Sequence, residues 1–230
     1  MFELFLHWLY ERNDFQQHID EAEANNCCED LHDDLINLHL FAAQIELAPL
    51  QDIAMDAIQD IYLRCNWDIR PRLVSYIYTE CSPIHSCRIR KWIVAMTAWS
   101  LGGDLEQSAT GGKMEVLFQK FPDFWADYVS HLSKTSKNRI KLHFKNPQLR
   151  LPTNNLRNEE RHFGFRQCSF HTHRSSVGQG KCPHTLAQQQ YRAESPVSSE
   201  YSDSSSPGLI FPEDMVSPRT AIFDLYLATP

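Results

Sequence analysis

Residues 31–61 read LHDDLINLHLFAAQIELAPLQDIAMDAIQDI, and this stretch decides the fold class. Leu31, Leu35, Leu38, Phe41, Ala42 and Ile45 recur at steps of three and four, which places them on one face of a helix. Pro49 suits the first position of the next helix, where its missing N–H costs nothing. Leu50, Ile53, Ala54, Ala57, Ile58 and Ile61 line the buried stripe of that helix.

The same periodicity extends in both directions. Phe2, Phe5, Leu6 and Leu9 predict a short amphipathic helix over residues 2–10, whereas residues 11–30 are acidic and aperiodic and read as a loop. Pro71 opens a short helix carrying Leu73, Val74, Ile77 and Tyr78. Ser86 is the expected N-cap of another, whose stripe is Ile89, Trp92, Ile93, Met96 and Trp99. Residues 101–112 form a glycine-rich break, and helical faces resume with Met114, Leu117, Phe118 and Phe121, then Phe124, Trp125, Tyr128, Val129 and Leu132. Little or no sheet is expected, apart from a short strand around Ile140, Leu142 and Phe144. The fold class is therefore mainly α, an irregular helical array. A long tail follows from residue 134, basic and then serine-rich, and most of 146–230 is expected to be disordered. Seven of the twelve residues from Ser195 to Ser206 are serine, too polar to offset the entropy of ordering the chain.

The 230 residues carry a net charge of -7, which hides an asymmetry. Residues 1–63 hold 14 acidic side chains against the single Arg12, a net of -13. Residues 134–192 hold 12 basic side chains against Glu159 and Glu160, a net of +10. Two such segments attract each other or recruit different partners. No apolar run reaches the ~18 residues of a membrane span, and the start lacks the basic region of a signal peptide. Seven cysteines, an odd number, fit reduced thiols better than a disulfide framework. A soluble protein of the cytoplasm or nucleus is expected.

The helical region resembles the fungal branch of the BTB/POZ domain proteins. The resemblance rests on Phe2-Glu3-Leu4-Phe5-Leu6-His7-Trp8-Leu9-Tyr10, on Asp34 through Ala43, on Ile45 through Asp52, and on Arg88-Ile89-Arg90-Lys91-Trp92-Ile93-Val94. It implies that residues 1–63 are the C-terminal helical part of a BTB/POZ domain lacking its N-terminal half. Residues 64–133 are then a helical extension and residues 134–230 the tail. The elements that build the family's homodimer precede this point, so no homodimer is expected. The resemblance implies a non-enzymatic adaptor that links a target protein to a cullin-type ubiquitin ligase, docking through Phe2, Phe5, His7, Tyr10 and the acidic stretch after them. Phe2, Phe5, Leu35 and Phe41 are expected to leave an apolar patch open.

The densest chemical constellation lies in the tail. Cys168, His171, His173 and Cys182 offer two thiols and two imidazoles, a donor set for tetrahedral zinc. It also resembles a Cys-x-x-His-x-His…Cys tract that follows the helices in fungal BTB proteins. A zinc- or nucleic-acid-binding regulator acting through residues 134–184 is thus the alternative function, and Lys134, Lys137, Arg139, Lys141, Lys145 and Arg150 are its candidate phosphate contacts. These cations lack interleaved aromatic residues, which disfavours nucleic acid. A non-functional gene fragment is the third reading. Glu29, Asp30, Asp33 and Asp34 read as a solvated acidic start of a helix. No nucleophile elbow, P-loop or metalloprotease motif occurs, so no enzymatic activity is expected. Trp67, in a polar junction, is expected to be the exposed tryptophan. Ser195, Ser206 and Ser217 each precede proline and are phosphorylation candidates, and the apolar end from Ile222 to Leu227 is a candidate docking peptide.

Overall fold

A computed structural model describes residues 1–11, 14–102, 111–139, 141–142, 145–151, 164–166 and 168–174. All lie within one unit, Met1–Ala193. Eight helices are described: α1 (Phe2–Glu11), α2 (Gln16–Ala24), α3 (Cys28–Gln44), α4 (Ala48–Cys65), α5 (Pro71–Thr79), α6 (Cys87–Leu101), α7 (Gly111–Lys120) and α8 (Pro122–Lys137). The mainly helical class follows from the periodic apolar stripes, as read from the sequence. No helix among the described residues is long and apolar enough to cross a membrane.

Two local expectations change. Residues 16–24, expected to be loop, form α2. Phe15, Ile19 and Ala22 fall at i, i+4 and i+7 and are buried, so three apolar residues suffice to seat a helix whose other faces are acidic. Ser86 precedes α6 but makes no capping bond; its hydroxyl donates instead to the Ser82 carbonyl at 2.7 Å.

The α3–α4 pair is the centre of the array. Glu46 adopts a left-handed φ of 56° and the Leu47 N–H returns to the Ala42 carbonyl at 2.8 Å, so the chain reverses in three residues. Asn66 ends α4 in the same way, at φ 48°. Leu35, Leu38, Leu50, Ala54, Ile58 and Ile61 meet between them and are buried.

A single apolar cluster runs from Leu4 to Phe170. The expected division between residues 63 and 64 therefore does not separate two cores: the Tyr62 ring on α4 stands edge-on to Trp92 on α6 at 4.7 Å. Nor does the tail begin at 134. Helix α8 continues to Lys137, and β1 (Asn146–Leu151) and β2 (Gly164–Arg166) pair in parallel beside α4 and α6. The strand follows, rather than includes, Leu142; Ile140 and Phe144 lie outside the described residues. Trp67 is half-buried against His32 and Tyr62 with the Arg70 guanidinium over its face, and Trp125 is instead the exposed tryptophan.

Candidate functional site

Helix α4 carries Asp52, Asp56 and Asp60 at four-residue spacing, which aligns three carboxylates along one face. Isolated, such a row repels itself. Here it is neutralised by the segment that follows α8. Arg150 on β1 spans two of the three: its guanidinium lies 2.6 Å from Asp56 Oδ1 and 2.5 Å from both Asp60 oxygens. Gln59, on the same helix, donates to the Pro147 carbonyl at 2.7 Å. Burial raises the Asp60 carboxyl above its ordinary range while the Arg150 charge opposes that shift.

The remaining carboxylate, Asp52, receives the Cys/His loop. The Thr172 N–H donates to Asp52 Oδ1 at 2.7 Å and its hydroxyl to Oδ2 at 3.1 Å. From the other side, Arg88 on α6 donates to the Thr172 carbonyl at 3.1 Å and to the carbonyl of Arg174. Phe170 anchors the loop in the core, 5.1 Å from the Phe165 ring. The loop is thus clamped between α4 and α6.

This clamp brings Cys168, His171 and His173 together, their potential ligand atoms all within 4.8 Å of one another. Cys168 and His171 are buried and His173 is half-buried. His171 Nε2 lies 2.9 Å from Asp56 Oδ1, so one ring nitrogen is oriented by a carboxylate. Its Nδ1 and that of His173 lie 3.8 and 3.7 Å from Asp52 Oδ2. Burial works against charge on His171, but Asp56, Cys168 and Asp52 together lift its pKa to about 10. Burial and the neighbouring His171 charge lower that of His173.

The donor set fits a metal. One thiol and two imidazoles converge, a neighbouring carboxylate orients one ring, and the acidic surroundings favour a cation. Cys182, the expected fourth ligand, lies outside the described residues, as do Ser195, Ser206 and Ser217 and the apolar end from Ile222. Asp52, Asp56 and Arg88 were not read as site residues from the sequence. The i, i+4, i+8 spacing of the aspartates marks them as one helix face, whereas no pattern in the sequence marks Arg88.

The residues expected to meet a partner separate into two groups. Phe2 and Tyr10 are exposed, at 63% and 82%, with Leu9 beside them. Phe5 instead packs edge-on against Phe41 at 5.5 Å, and His7 packs against His18 at 4.7 Å. Leu35 is fully buried, so the expected open patch narrows to the outer side of α1. Glu29 and Asp30 fall in the first turn of α3, as the acidic-start reading expects.

Comparisons with protein-family models, with curated proteins and with solved structures find no match for this chain.

Proposed function

We propose that the chain is a non-enzymatic protein-interaction module, a helical array whose post-helical segment is fastened by a structural zinc ion. The observation that carries this reading is the convergence of Cys168, His171 and His173 on an α4 whose aspartates already bind the loop through Thr172 and His171. Zinc bound there would be held by the Cys168 sulfur and the His171 and His173 imidazoles and would crosslink the loop. Asp56 fixes the tautomer and tilt of His171, Asp52 holds the loop backbone, and Arg88 closes it from behind. The burial of Cys168 and His171 suits a closed structural centre rather than a catalytic one.

The partner side of the proposal rests on the resemblance to fungal BTB/POZ proteins: an adaptor that bridges a target and a cullin scaffold. The exposed Phe2, Leu9 and Tyr10 on α1 support it. Titration of the full chain with a purified cullin N-terminal region tests it, with a complete BTB adaptor as positive control. Binding that weakens at least tenfold in Tyr10→Ala supports the adaptor reading. No binding while the control binds overturns it. The nucleic-acid alternative is weakened because Arg150 is engaged by Asp56 and Asp60.

A further inference from the structure

Cys168, His171 and His173 all sit on one short loop, so an ion held by them alone ties the loop to itself and not to the helices. A donor from outside the loop turns such an ion into a fastening, and α4 presents one. Asp52 Oδ2 lies 3.8 Å from His171 Nδ1 and 3.7 Å from His173 Nδ1. Donors bound at ~2.0–2.3 Å to a tetrahedral ion are about 3.3–3.6 Å apart, so these separations are close to two edges of a zinc tetrahedron. The three loop donors lie within 4.8 Å of one another, and closing them on an ion shortens the longest separation by about 1 Å. Ring orientation agrees: His171 turns Nε2 to Asp56 Oδ1 at 2.9 Å, which leaves Nδ1 for the side of Asp52.

Charge separates Asp52 from its neighbours on the same helix face. Asp56 and Asp60 share the Arg150 guanidinium, whereas among the described residues no lysine or arginine pairs with Asp52. A divalent cation beside it balances a carboxylate that is only 17% exposed. Thr172 already aims that carboxylate, through its N–H on Oδ1 and its hydroxyl on Oδ2. Each carboxylate oxygen has two lone pairs, so Oδ2 can keep the hydroxyl and bind a metal together.

We propose that Asp52 Oδ2 is the fourth ligand of the ion, in a set of one thiolate, two imidazoles and one carboxylate with Cys168, His171 and His173. The inference rests on the metal reading above and puts Asp52 where the sequence suggested Cys182. The ion then crosslinks α4 to the loop, so metal binding stabilises the helical array and not the loop alone.

The test uses the full chain loaded with one equivalent of zinc. X-ray absorption at the zinc edge should show one sulfur at ~2.3 Å and three nitrogen or oxygen donors at ~2.0–2.2 Å. In competition with a chromophoric chelator, Asp52→Asn should bind zinc at least tenfold more weakly, while Cys182→Ser stays within about twofold of the wild-type chain. Asp52→Cys should place a second sulfur on the ion, roughly doubling the thiolate charge-transfer band of the cobalt(II) form. An aspartate acting only through Thr172 gives no such second sulfur. Two sulfurs on the wild-type ion, undiminished binding in Asp52→Asn, a loss of about tenfold in Cys182→Ser, or a single sulfur in Asp52→Cys overturns the role of Asp52 and leaves the metal centre standing. A folded wild-type chain that binds neither zinc nor cobalt overturns the metal reading and this inference with it.

Discussion

Asp52 and Thr172 are 120 residues apart in sequence, yet the threonine donates both its N–H and its hydroxyl to the aspartate, at 2.7 and 3.1 Å. This pair of hydrogen bonds from loop to side chain is the joint by which the segment after α8 is fastened to the helical array. A carboxylate is the right acceptor, because hydrogen bonds to a charged group are stronger than neutral ones. Asp52→Ala removes both bonds and leaves the Thr172 N–H exposed to partial burial without an acceptor. A loss of about 1–3 kcal/mol is expected in urea unfolding. Hydrogen exchange should become faster across residues 168–174 and stay unchanged within α1.

Arg150 should show the opposite side of the same charge balance. Arg150→Ala removes the guanidinium that lies between Asp56 and Asp60, leaving Asp60 without its ion-pair partner, and burial already holds the Asp60 carboxyl above its ordinary range. A group with a raised folded pKa favours the folded state below its unfolded pKa and loses that contribution as pH rises through the folded value. The variant should therefore be most destabilised at neutral pH and partly recover in mild acid, as Asp60 takes up a proton. Equal destabilisation at both pH values would show that the carboxylates are not the cause. Arg150→Lys should fall between, because an ammonium cannot span both carboxylates as a guanidinium does.

Acid should also weaken the wild-type protein through His39. Its Nδ1–H donates to the Gln51 carbonyl at 3.1 Å and its Nε2 accepts from the Gln51 amide at 3.3 Å, so the neutral ring is satisfied on both sides. Burial, with help from Arg88 and His171, lowers its pKa to about 4. Between pH 6.5 and about 4 the unfolded chain takes up a proton that the folded chain refuses. Stability therefore falls with acid across that window, by up to roughly 3 kcal/mol from this residue. His131 on α8 is also lowered to about 4, by burial and by Lys145 and Lys134, and adds to the decline. His39→Gln should flatten the slope between pH 6.5 and 4 while lowering stability at neutral pH. An unchanged slope would remove His39 from the account.

The contact of Tyr62 with Trp92 joins the region read as a truncated BTB/POZ part to the region read as its extension. Trp92 is fully buried, and Trp92→Ala should cost about 3–5 kcal/mol by opening a cavity between α4 and α6. Thermal unfolding followed separately at near- and far-ultraviolet wavelengths should shift as one transition. Two transitions, with only one moved, would restore the division into separate units.

The helices were largely legible because their apolar stripes recur over ten or more residues, as in Leu31 to Ile45. Helix α2 was not, because Phe15, Ile19 and Ala22 give a stripe only three residues long within an acidic stretch. Its seat comes from tertiary packing and from Arg64, which pairs with Asp20 and Glu23 across from α4. The candidate metal donors Cys168, His171 and His173 were legible as a cluster of rare residue types at short spacing. Their platform was not: Asp52, Asp56 and Arg88 lie 80 to 120 positions away, and only the fold shows that they face the loop. The tail boundary failed for the same reason. Residues 146–151 carry little local preference for order, and their position is set by Gln59, Asp56 and Asp60 on another element.

The proposed metal centre is tested most directly by adding cobalt(II) to the full chain after chelation and reading the visible and near-ultraviolet spectrum. One equivalent should give tetrahedral d–d bands and a thiolate charge-transfer band, with zinc displacing both. Cys168→Ser should lose the charge-transfer contribution of that sulfur, and His171→Ala should weaken binding by at least tenfold. A spectrum that remains that of aqueous cobalt at one equivalent, from a chain that is folded by circular dichroism, would contradict the metal centre.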